Sequence, residues 1–327
     1  MIKPSELMNS IFETDPILAQ FEIGACSLCP LECGADRAVE AGLCGVGGFD
    51  PMLLGSRDPW LSALIARSAR HYYEEPPISG TGGSGAIFFS GCNMACIFCQ
   101  NYDISRAAKG RLTDPAELAE LMLRLQQLGA HNINFVTPSP HTLLIEKAVL
   151  IARNSGLRLP TVYNTNAYEK IESLKRLEGL IDIYLPDLKY KSSIAAKKYS
   201  GRQDYFGVAS EAILEMQRQC GTLVLDEKGI AQRGLLIRHL VLPGSVDETR
   251  GVLNWISENL PIETHISLMS QYTPFGTLPV PLNRRLLKRE YDRALAHALE
   301  LGFTNVYTQA LSSASSSYTP EFNSFFE

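Results

Sequence analysis

Three of the eight cysteines in this 327-residue chain lie in one short stretch, SGCNMACIFCQNYDIS, which covers residues 90–105. Cys92, Cys96 and Cys99 have the spacing C-x3-C-x2-C. Thiolates are ligands for zinc and for iron–sulfur clusters, and structural zinc sites take four protein ligands. A set of three therefore indicates a metal centre with one coordination position left open for another molecule.

The bulk composition indicates an ordinary globular protein and disfavours two classes of function. Hydrophobic residues make up 45% of the chain, charged residues make up 20%, and the formal net charge is −5. No block of Lys and Arg stands out, which disfavours nucleic-acid binding as the main activity. The N-terminal residues MIKPSELMNSIF lack the apolar run of a signal peptide, and no apolar run approaches the roughly 18 residues of a membrane span. We therefore expect a cytoplasmic protein without a membrane partner.

Four further cysteines lie near the N-terminus, in the stretch CSLCPLECGADRAVEAGLC. Cys26, Cys29, Cys33 and Cys44 have the spacing C-x2-C-x3-C-x10-C. Clustered cysteines in a reducing compartment indicate metal binding rather than disulfides. Four thiolates satisfy either tetrahedral zinc or a complete auxiliary iron–sulfur cluster. A cluster would pass electrons or bind a substrate group, whereas zinc would only stabilise the N-terminal segment.

From about residue 85, short apolar runs alternate with amphipathic segments. The runs are rich in Ile, Val, Phe and Leu and short enough to be buried strands. Six strands are predicted in AIFFS, NINFVT, TVYNT, IDIYL, LLIRHLVL and HISLMS. Helices are predicted over residues 114–129, 141–155, 168–178, 204–219, 247–259 and 284–301. This alternation predicts an α/β fold with a parallel sheet, either open or closed into a barrel.

Polar residues gather directly after the predicted strands. Ligands bind at the carboxyl ends of parallel strands in open sheets and in barrels alike. The three-cysteine stretch follows the first strand, so we expect it to share one face with the polar groups. These are Thr137, Ser139 and His141 after the second strand, Asn164 to Asn166 after the third, and Asp187 and Lys189 after the fourth.

The cysteine stretch reads C-x3-C-x-aromatic-C, with Phe98 in the aromatic place, and resembles the signature of the radical S-adenosylmethionine (SAM) superfamily. Together with NINFVTPSPH, YLPDLKY, RHLVLPG and SLMSQYTP, it resembles the PflX-like group, whose members are similar to pyruvate formate-lyase activating enzyme. The resemblance covers most of residues 22–310. It implies a partial (β/α)6 TIM-type barrel. It also implies a 4Fe-4S cluster on Cys92, Cys96 and Cys99, with SAM bound to the fourth iron through its amino and carboxylate groups.

The resemblance implies a reaction as well as a fold. One electron, from a flavodoxin- or ferredoxin-type donor, would cleave SAM to methionine and a 5′-deoxyadenosyl radical that abstracts hydrogen from a substrate. The protein would then be a radical SAM oxidoreductase that activates a glycyl radical protein. The alternative is a radical SAM enzyme that modifies a small molecule or a peptide. A non-catalytic iron–sulfur electron carrier is the alternative of another class, and the chain is far longer than such a carrier needs.

Two strand-end motifs are expected to contact SAM. Activating enzymes have an Asp-x-Lys motif at the fourth strand, which Asp187 and Lys189 match here. We expect this pair to contact the methionyl part of SAM, because two opposite charges suit a zwitterionic ligand. In RHLVLPG on the fifth strand, Arg238 or His239 is expected to face SAM or to support the residues that do.

The region after the second strand departs from the activating enzymes. Those enzymes carry Gly-Gly-Glu there, beside the SAM amino group, whereas this chain has TPSPH from Thr137 to His141 and no carboxylate. The backbone carbonyls of this segment and the hydroxyl of Thr137 or Ser139 are therefore the expected acceptors for the SAM ammonium group. Asn164 and Asn166, after the third strand, complete the expected set of SAM-binding residues.

The predicted domains are an N-terminal cysteine-rich extension (1–80), a radical SAM partial barrel (81–310) and a flexible Ser-rich tail (311–327). Within the extension, a helix is predicted near residues 58–73. Glu74 and Glu75 are expected to be solvated or structural, because neighbouring residues do not face the same side of a helix or strand. SGTGGSG is not expected to bind phosphate, because no helix follows it and the Gly-Lys-Ser ending is missing.

Overall fold

A computed structural model describes residues 25–313 together with Phe322 and Phe325. The N-terminal stretch used for the signal-peptide prediction lies outside the described residues, as does most of the predicted tail. The described strands are β1 (Ala63–His71), β2 (Ser84–Phe89), β3 (Arg111–Thr113), β4 (Ile133–Val136), β5 (Thr161–Thr165), β6 (Ile183–Pro186), β7 (Val224–Leu225), β8 (Ala231–Leu240), β9 (His265–Met269) and β10 (Val306–Thr308). The described helices are α1 (Pro51–Leu54), α2 (Pro76–Ser79), α3 (Tyr102–Ser105), α4 (Pro115–Gln127), α5 (Thr142–Asn154), α6 (Ile171–Arg176), α7 (Ser193–Ser200), α8 (Tyr205–Cys220), α9 (Val246–Asn259) and α10 (Lys288–Glu300).

The strands form one sheet in the order β10-β9-β8-β6-β5-β4-β2-β1-β3, with β7 paired to β8. Strands β2, β4, β5, β6, β8 and β9 are parallel, and they are the six strands predicted from the sequence. The α/β fold and the partial TIM-type barrel are thereby confirmed. β10 extends the parallel set at one edge, and β1 and β3 pair antiparallel at the other.

The helices between the strands agree with their sequence signals. Helix α4 begins with a capping box: Asp114 accepts from the Glu117 amide at 2.9 Å, and Glu117 accepts from the Asp114 amide at 3.0 Å. The helix predicted over 168–178 is shorter, because α6 spans Ile171–Arg176. Helix α7 was not predicted, although Ser192 caps it by accepting from the Ala195 amide.

The helix predicted near residues 58–73 is wrong, because Ala63–His71 forms strand β1. The apolar residues of this segment fit the periodicity of a helix as well as that of a strand, so pairing with a neighbouring strand decides which of the two forms. Ile65 lies opposite Phe89 in an antiparallel ladder that completes one edge of the barrel. The prediction failed because β1 obtains its hydrogen bonds from a strand that follows it in the chain.

The inner face of the barrel changes from apolar to polar along the strands. Val162, Leu185 and Leu236 pack on Ile78 of α2. Two residues further along three strands lie Asn164, Asp187 and Arg238 on the same face. The segment from residue 72 to 79 therefore closes the apolar end of the barrel, and the polar end faces the cysteine stretch. The opposite face of the strands packs on the helices in the main core.

The described ends of the chain pack on this barrel. The Ser173 hydroxyl at α6 donates to the Leu28 carbonyl at 2.7 Å, which holds the N-terminal segment. At the other end, Phe322 makes an edge contact with Phe88, and the Arg111 guanidinium lies over the Phe325 ring. None of the helices between residues 25 and 313 combines the length and the apolar character needed to cross a membrane.

We expect Ile145→Ala to lower the free energy of unfolding by about 2–5 kcal/mol, because Ile145 on α5 is completely buried in the main core. Leu150→Ala on the same helix is the matched control, because Leu150 is 38% exposed and its removal leaves no enclosed cavity. Urea unfolding of the two variants measures the difference. Equal losses would contradict this account of the core.

Candidate active site

The three-cysteine stretch leaves the carboxyl end of β2 and is held by backbone hydrogen bonds from separate parts of the chain. The Cys92 amide donates to the Cys44 carbonyl at 3.0 Å, and the Ile97 amide donates to the Tyr199 carbonyl at 2.9 Å. Gly91 has a φ of 92°, and a Cβ there would lie 2.5 Å from a Val46 methyl group. Only glycine fits this turn, so the position of the loop depends on close packing against the N-terminal segment.

Polar groups surround the sulfur atoms of this loop. The Cys96 Sγ lies 3.0 Å from the Ser200 hydroxyl, and the Asn166 amide donates to the Cys92 Sγ at 3.6 Å. Burial, together with the other two thiols of the loop, raises the pKa of Cys92 to about 12. Burial also raises the pKa of Cys99, although the Lys189 ammonium opposes this. Because thiolates here need a strong positive charge, bound iron fits the site and would release the thiol protons.

A cavity of about 230 Å³ lies at the carboxyl ends of the parallel strands, where the sequence predicted it. Six of the eight predicted SAM-binding residues line it together with the three cysteines of the loop. These six are Thr137, Asn164, Asn166, Asp187, Lys189 and Arg238. That they bind SAM stays a prediction, but their convergence on the three thiols fits a cofactor bridging the loop and the strand ends.

A chain of alternating charges crosses the cavity. Glu74 lies 3.1 Å from Arg238, Arg238 lies 2.8 Å from Asp187, and Asp187 lies 2.6 Å from Lys189. The amide of Asn164 joins the chain by donating to Glu74 at 3.2 Å. Each ionic group has a partner of opposite charge, which offsets the cost of removing it from water.

The pKa values within this chain show how the charges act on one another. Burial alone would raise the pKa of Asp187, but Arg238 and Lys189 outweigh burial and the pKa lies below its ordinary value. Burial opposes the charge of Lys189, but Asp187 raises its pKa above the ordinary value. Burial raises the pKa of Glu74, and Arg238 only partly opposes this. The site therefore keeps an ionised Asp–Lys pair beside the thiols.

Backbone conformation also shapes the cavity wall. Thr137 has a φ of 63°, which is rare for a β-branched residue, and it follows β4 directly. Its amide donates to the Asn164 carbonyl at 3.1 Å across the neighbouring strand end. Strained backbone of this kind is concentrated at functional sites, and nothing in the local sequence predicts it.

Ser139 and His239 do not line the cavity, so the expectation that they contact SAM directly is corrected. The Ser139 hydroxyl is buried and donates to Glu169. His239 is buried between the Leu188 carbonyl, 2.6 Å from its Nδ1, and the Thr249 hydroxyl, 2.9 Å from its Nε2. Their polar atoms are satisfied within the protein, so they position the strand ends rather than a ligand.

His141 is also absent from the cavity lining. Its ring stacks on Phe89 with centroids 4.8 Å apart, and its Nε2 lies 3.1 Å from the Ser90 carbonyl. Burial lowers the pKa of His141 to about 3, so the ring is neutral at physiological pH. It supports the start of the cysteine loop.

Glu74 is a site residue that the sequence analysis missed, and the expectation that it is solvated is wrong, because its carboxylate pairs with Arg238 inside the barrel. Its carboxylate lines the cavity and also accepts from the Asn134 amide at 3.1 Å. Glu75 is buried as well but does not line the cavity. The only signal was two adjacent acidic residues before a Pro-Pro pair, which did not reveal that the segment enters the barrel.

The four N-terminal cysteines lie outside the cavity lining, and one of them, Cys44, is bonded through its carbonyl to the amide of Cys92. Cys26, Cys29 and Cys44 are buried, and Cys33 is half-buried. None of them lines the cavity. Among residues 25–313, no three His, Cys, Asp or Glu side chains stand as they would around a single metal ion. Metal binding by this group therefore stays a prediction.

Comparison with known proteins agrees with the geometry of the site. Residues 86–220 match the family model described as the Radical SAM superfamily. That family implies a 4Fe-4S cluster and SAM, which fit the three thiols and the charged cavity. The uncharacterized protein MJ0674 of Methanocaldococcus jannaschii is 29% identical over 294 residues, which are 86% of this chain and 76% of that protein.

The comparison with solved structures found a methyltransferase and a domain of an activating enzyme among its matches. A radical SAM methyltransferase from Sphaerobacter thermophilus has a TM-score of 0.48 and 14% identity, covering 68% of this chain and 66% of that one. A domain of pyruvate-formate lyase-activating enzyme from Bacteroides vulgatus has a TM-score of 0.39 and 12% identity, covering 55% of this chain and 100% of that one. These low scores leave the reaction to be argued from the site itself.

Glu169 makes the stability of this region depend on pH. Burial raises its pKa from 4.5 to about 7, although the hydroxyls of Ser139 and Thr165 oppose this, and its second carboxylate oxygen has no hydrogen-bond partner. The folded protein therefore binds more protons than the unfolded chain between about pH 4.5 and pH 7, and stability falls as pH rises through this window. Above the window the loss is complete.

We expect the free energy of unfolding of the wild type, relative to Glu169→Gln, to fall by up to about 3 kcal/mol between about pH 4.5 and pH 7. Urea unfolding at several pH values measures the difference. Glu211→Gln, at an exposed position on α8, is the control for the change in net charge. A difference between wild type and Glu169→Gln that does not change with pH would contradict the raised pKa.

Proposed function

We propose that this protein is a radical SAM enzyme of the activating-enzyme type, which generates a glycyl radical on a partner protein. Cys92, Cys96 and Cys99 would hold a 4Fe-4S cluster, and the six lining residues named above would bind SAM. When bound, the cluster and SAM supply a 5′-deoxyadenosyl radical that abstracts hydrogen. The observation that carries the proposal is the convergence of three thiols and an alternating charge chain on one cavity.

The residues of the charge chain suit the zwitterionic end of SAM. The Lys189 ammonium interacts electrostatically with Cys96 and Cys99, which indicates that it lies near the thiols. A cation at this position suits the SAM carboxylate. At the other end, Glu74 is a carboxylate for the SAM ammonium, and it offers the acceptor that TPSPH lacks. The walls of the cavity hold these charges apart from water, which strengthens their interactions.

Exposed apolar residues beside the cysteine loop favour a protein as the substrate. Ile97 on the loop and Tyr102 on α3 are exposed, as are Ile194 on α7 and Phe275 after β9. The segments join through the Ile97–Tyr199 backbone bond and a ring contact between Phe98 and Tyr272. Contiguous exposed apolar surface marks contact sites for other proteins, and Ile97 and Tyr102 lie on the same short stretch of chain as the three cysteines. A small molecule or a short peptide remains the alternative substrate, with a flavodoxin- or ferredoxin-type electron donor in either case.

Anaerobic reconstitution with iron and sulfide, followed by reduction and addition of SAM, tests the enzyme class. We expect 5′-deoxyadenosine, and we expect none from the Cys92→Ala/Cys96→Ala/Cys99→Ala variant. Cys220→Ala is the matched control, because Cys220 is buried in the main core and away from the cavity. Absence of 5′-deoxyadenosine from wild-type protein with its iron intact would overturn the proposed function.

Addition of a glycyl radical protein to the same mixture separates the proposed substrate from the alternative. We expect a new organic radical signal in the electron paramagnetic resonance (EPR) spectrum of the partner. Hydrogen exchange between SAM and a peptide or a small molecule, without any radical on a partner protein, would favour the alternative.

Glu74→Gln is expected to weaken SAM binding roughly ten- to hundredfold, because hydrogen bonds to charged groups contribute about 1.5–3 kcal/mol. Equilibrium dialysis with the reconstituted protein measures the dissociation constant. Glu75→Gln is the matched control, since Glu75 is adjacent and buried but does not line the cavity. Equal effects of the two substitutions would contradict the role assigned to Glu74.

A further inference from the structure

We propose that Cys26, Cys29, Cys33 and Cys44 hold a second 4Fe-4S cluster, which passes electrons from a protein donor to the SAM-binding cluster. The four cysteines and the loops that carry them, residues 26–48, are called the N-terminal module. The proposal rests on the proposed function only for the acceptor of the electron, namely the cluster on the loop of Cys92.

Two thiols of the module lie close together beside Gly42. A Cβ on Gly42 would lie 3.2 Å from the Cys33 Sγ and 3.6 Å from the Cys44 Sγ, so these two sulfur atoms are less than 7 Å apart. Backbone bonds tie the first cysteine to the same loop, because the Cys26 amide donates to the Ala35 carbonyl and the Gly34 amide donates to the Cys26 carbonyl.

A buried cation accompanies the thiols. Arg37 is only 2% exposed, and its guanidinium donates to the Pro140 carbonyl at 2.8 Å and lies over the Trp60 ring. Its Nε has no hydrogen-bond partner, and no carboxylate pairs with it among the described residues. A buried unpaired cation is costly, so its position beside Cys33 and Cys44 calls for a centre with net negative charge. Four thiolates around an iron–sulfur cluster supply that charge.

The module reaches from the protein surface to the SAM-binding loop. Cys33 is half-buried, whereas Cys44 is buried. The carbonyl of Cys44 accepts directly from the amide of Cys92, so one hydrogen bond joins a cysteine of each group. From ordinary bond lengths and the 3.0 Å hydrogen bond, the sulfur atoms of Cys44 and Cys92 are at most about 12 Å apart. A structural zinc ion needs no such path between the surface and the active-site loop.

Because the cysteines of the module do not line the cavity, a cluster on them is excluded from binding a substrate group there. None of Cys26, Cys29, Cys33 and Cys44 lines the cavity, so a metal centre on them does not meet a substrate bound there. Electron transfer is the remaining role for a redox centre at this place. The donor loses one electron, the second cluster gains it and then loses it, and the SAM-binding cluster keeps it. No bond forms or breaks, and no proton moves, in these two transfers.

Metal analysis of the full-length Cys92→Ala/Cys96→Ala/Cys99→Ala variant, reconstituted anaerobically with iron and sulfide, tests the second site. We expect about four irons and four sulfides per chain, and an EPR signal after reduction that SAM does not change. One zinc without iron, or no bound metal, would overturn the proposal. Since this variant cannot bind the first cluster, its result is independent of whether the wild-type protein cleaves SAM.

A second measurement tests the buried cation. Arg37→Gln in the same triple variant should make reduction of the remaining cluster at least tenfold less favourable, which is about 59 mV towards negative potential. Arg57→Gln is the matched control, because Arg57 is partly exposed and pairs with Glu117 away from the module. An unchanged potential in Arg37→Gln would remove Arg37 as the counter-charge and overturn this part of the proposal.

The EPR spectrum of the fully reduced wild-type protein tests the electron path. Two paramagnetic clusters this close should broaden or split each other's signals, and the triple variant should show the narrow signal of one isolated cluster. Two independent, uncoupled signals in the wild type would contradict a relay between neighbouring clusters. Loss of 5′-deoxyadenosine formation with the coupled signals intact would instead count against the proposed function alone.

Discussion

The arrangement of the active-site cavity depends on one buried cation, the guanidinium of Arg238. A charge in the interior of a protein is stable only when partners of opposite charge meet it in good geometry. Arg238 has two partners of opposite charge, Glu74 and Asp187. Asp187 in turn pairs with Lys189. These residues come from the β1–β2 connection, β6 and β8, so the ionic contacts hold three separate parts of the barrel in register. A zwitterionic ligand adds a further pair of opposite charges to this set.

A partial barrel has to be closed at one end before it can present polar groups at the other. The segment from residue 72 to 79 closes the apolar end and also supplies a polar group to the other end. Ile78 packs on the apolar part of the inner face, and Glu74 reaches its polar part. The inner face is therefore divided along the strands. Water is excluded at the apolar end, and the charged groups near the cysteine loop lie in surroundings where their interactions are strong.

The two cysteine groups belong to one packed unit. The loop of Cys92 turns at Gly91 against Val46 and bonds to the Cys44 carbonyl, so neither group is positioned without the other. The cysteine loop lines the cavity, whereas the cysteines of the N-terminal module do not. The loop therefore joins the module to the cavity without exposing the module's thiols to a ligand bound there.

Local patterns in the sequence by themselves determined the six parallel strands, the three-cysteine loop and the Asp187–Lys189 pair. Each depends on residues close together in the chain, such as a buried run of five residues or a fixed spacing of thiols. Strand-end placement also predicted that Thr137 and Asn164 would line the cavity. Only the tertiary structure decided the role of Glu74, which is 164 residues away from Arg238 in sequence. It likewise turned residues 63–71 into a strand, and it buried Ser139 and His239 behind the cavity wall. Pairing and burial between distant segments control these outcomes. The local sequence around each of these residues does not predict such contacts.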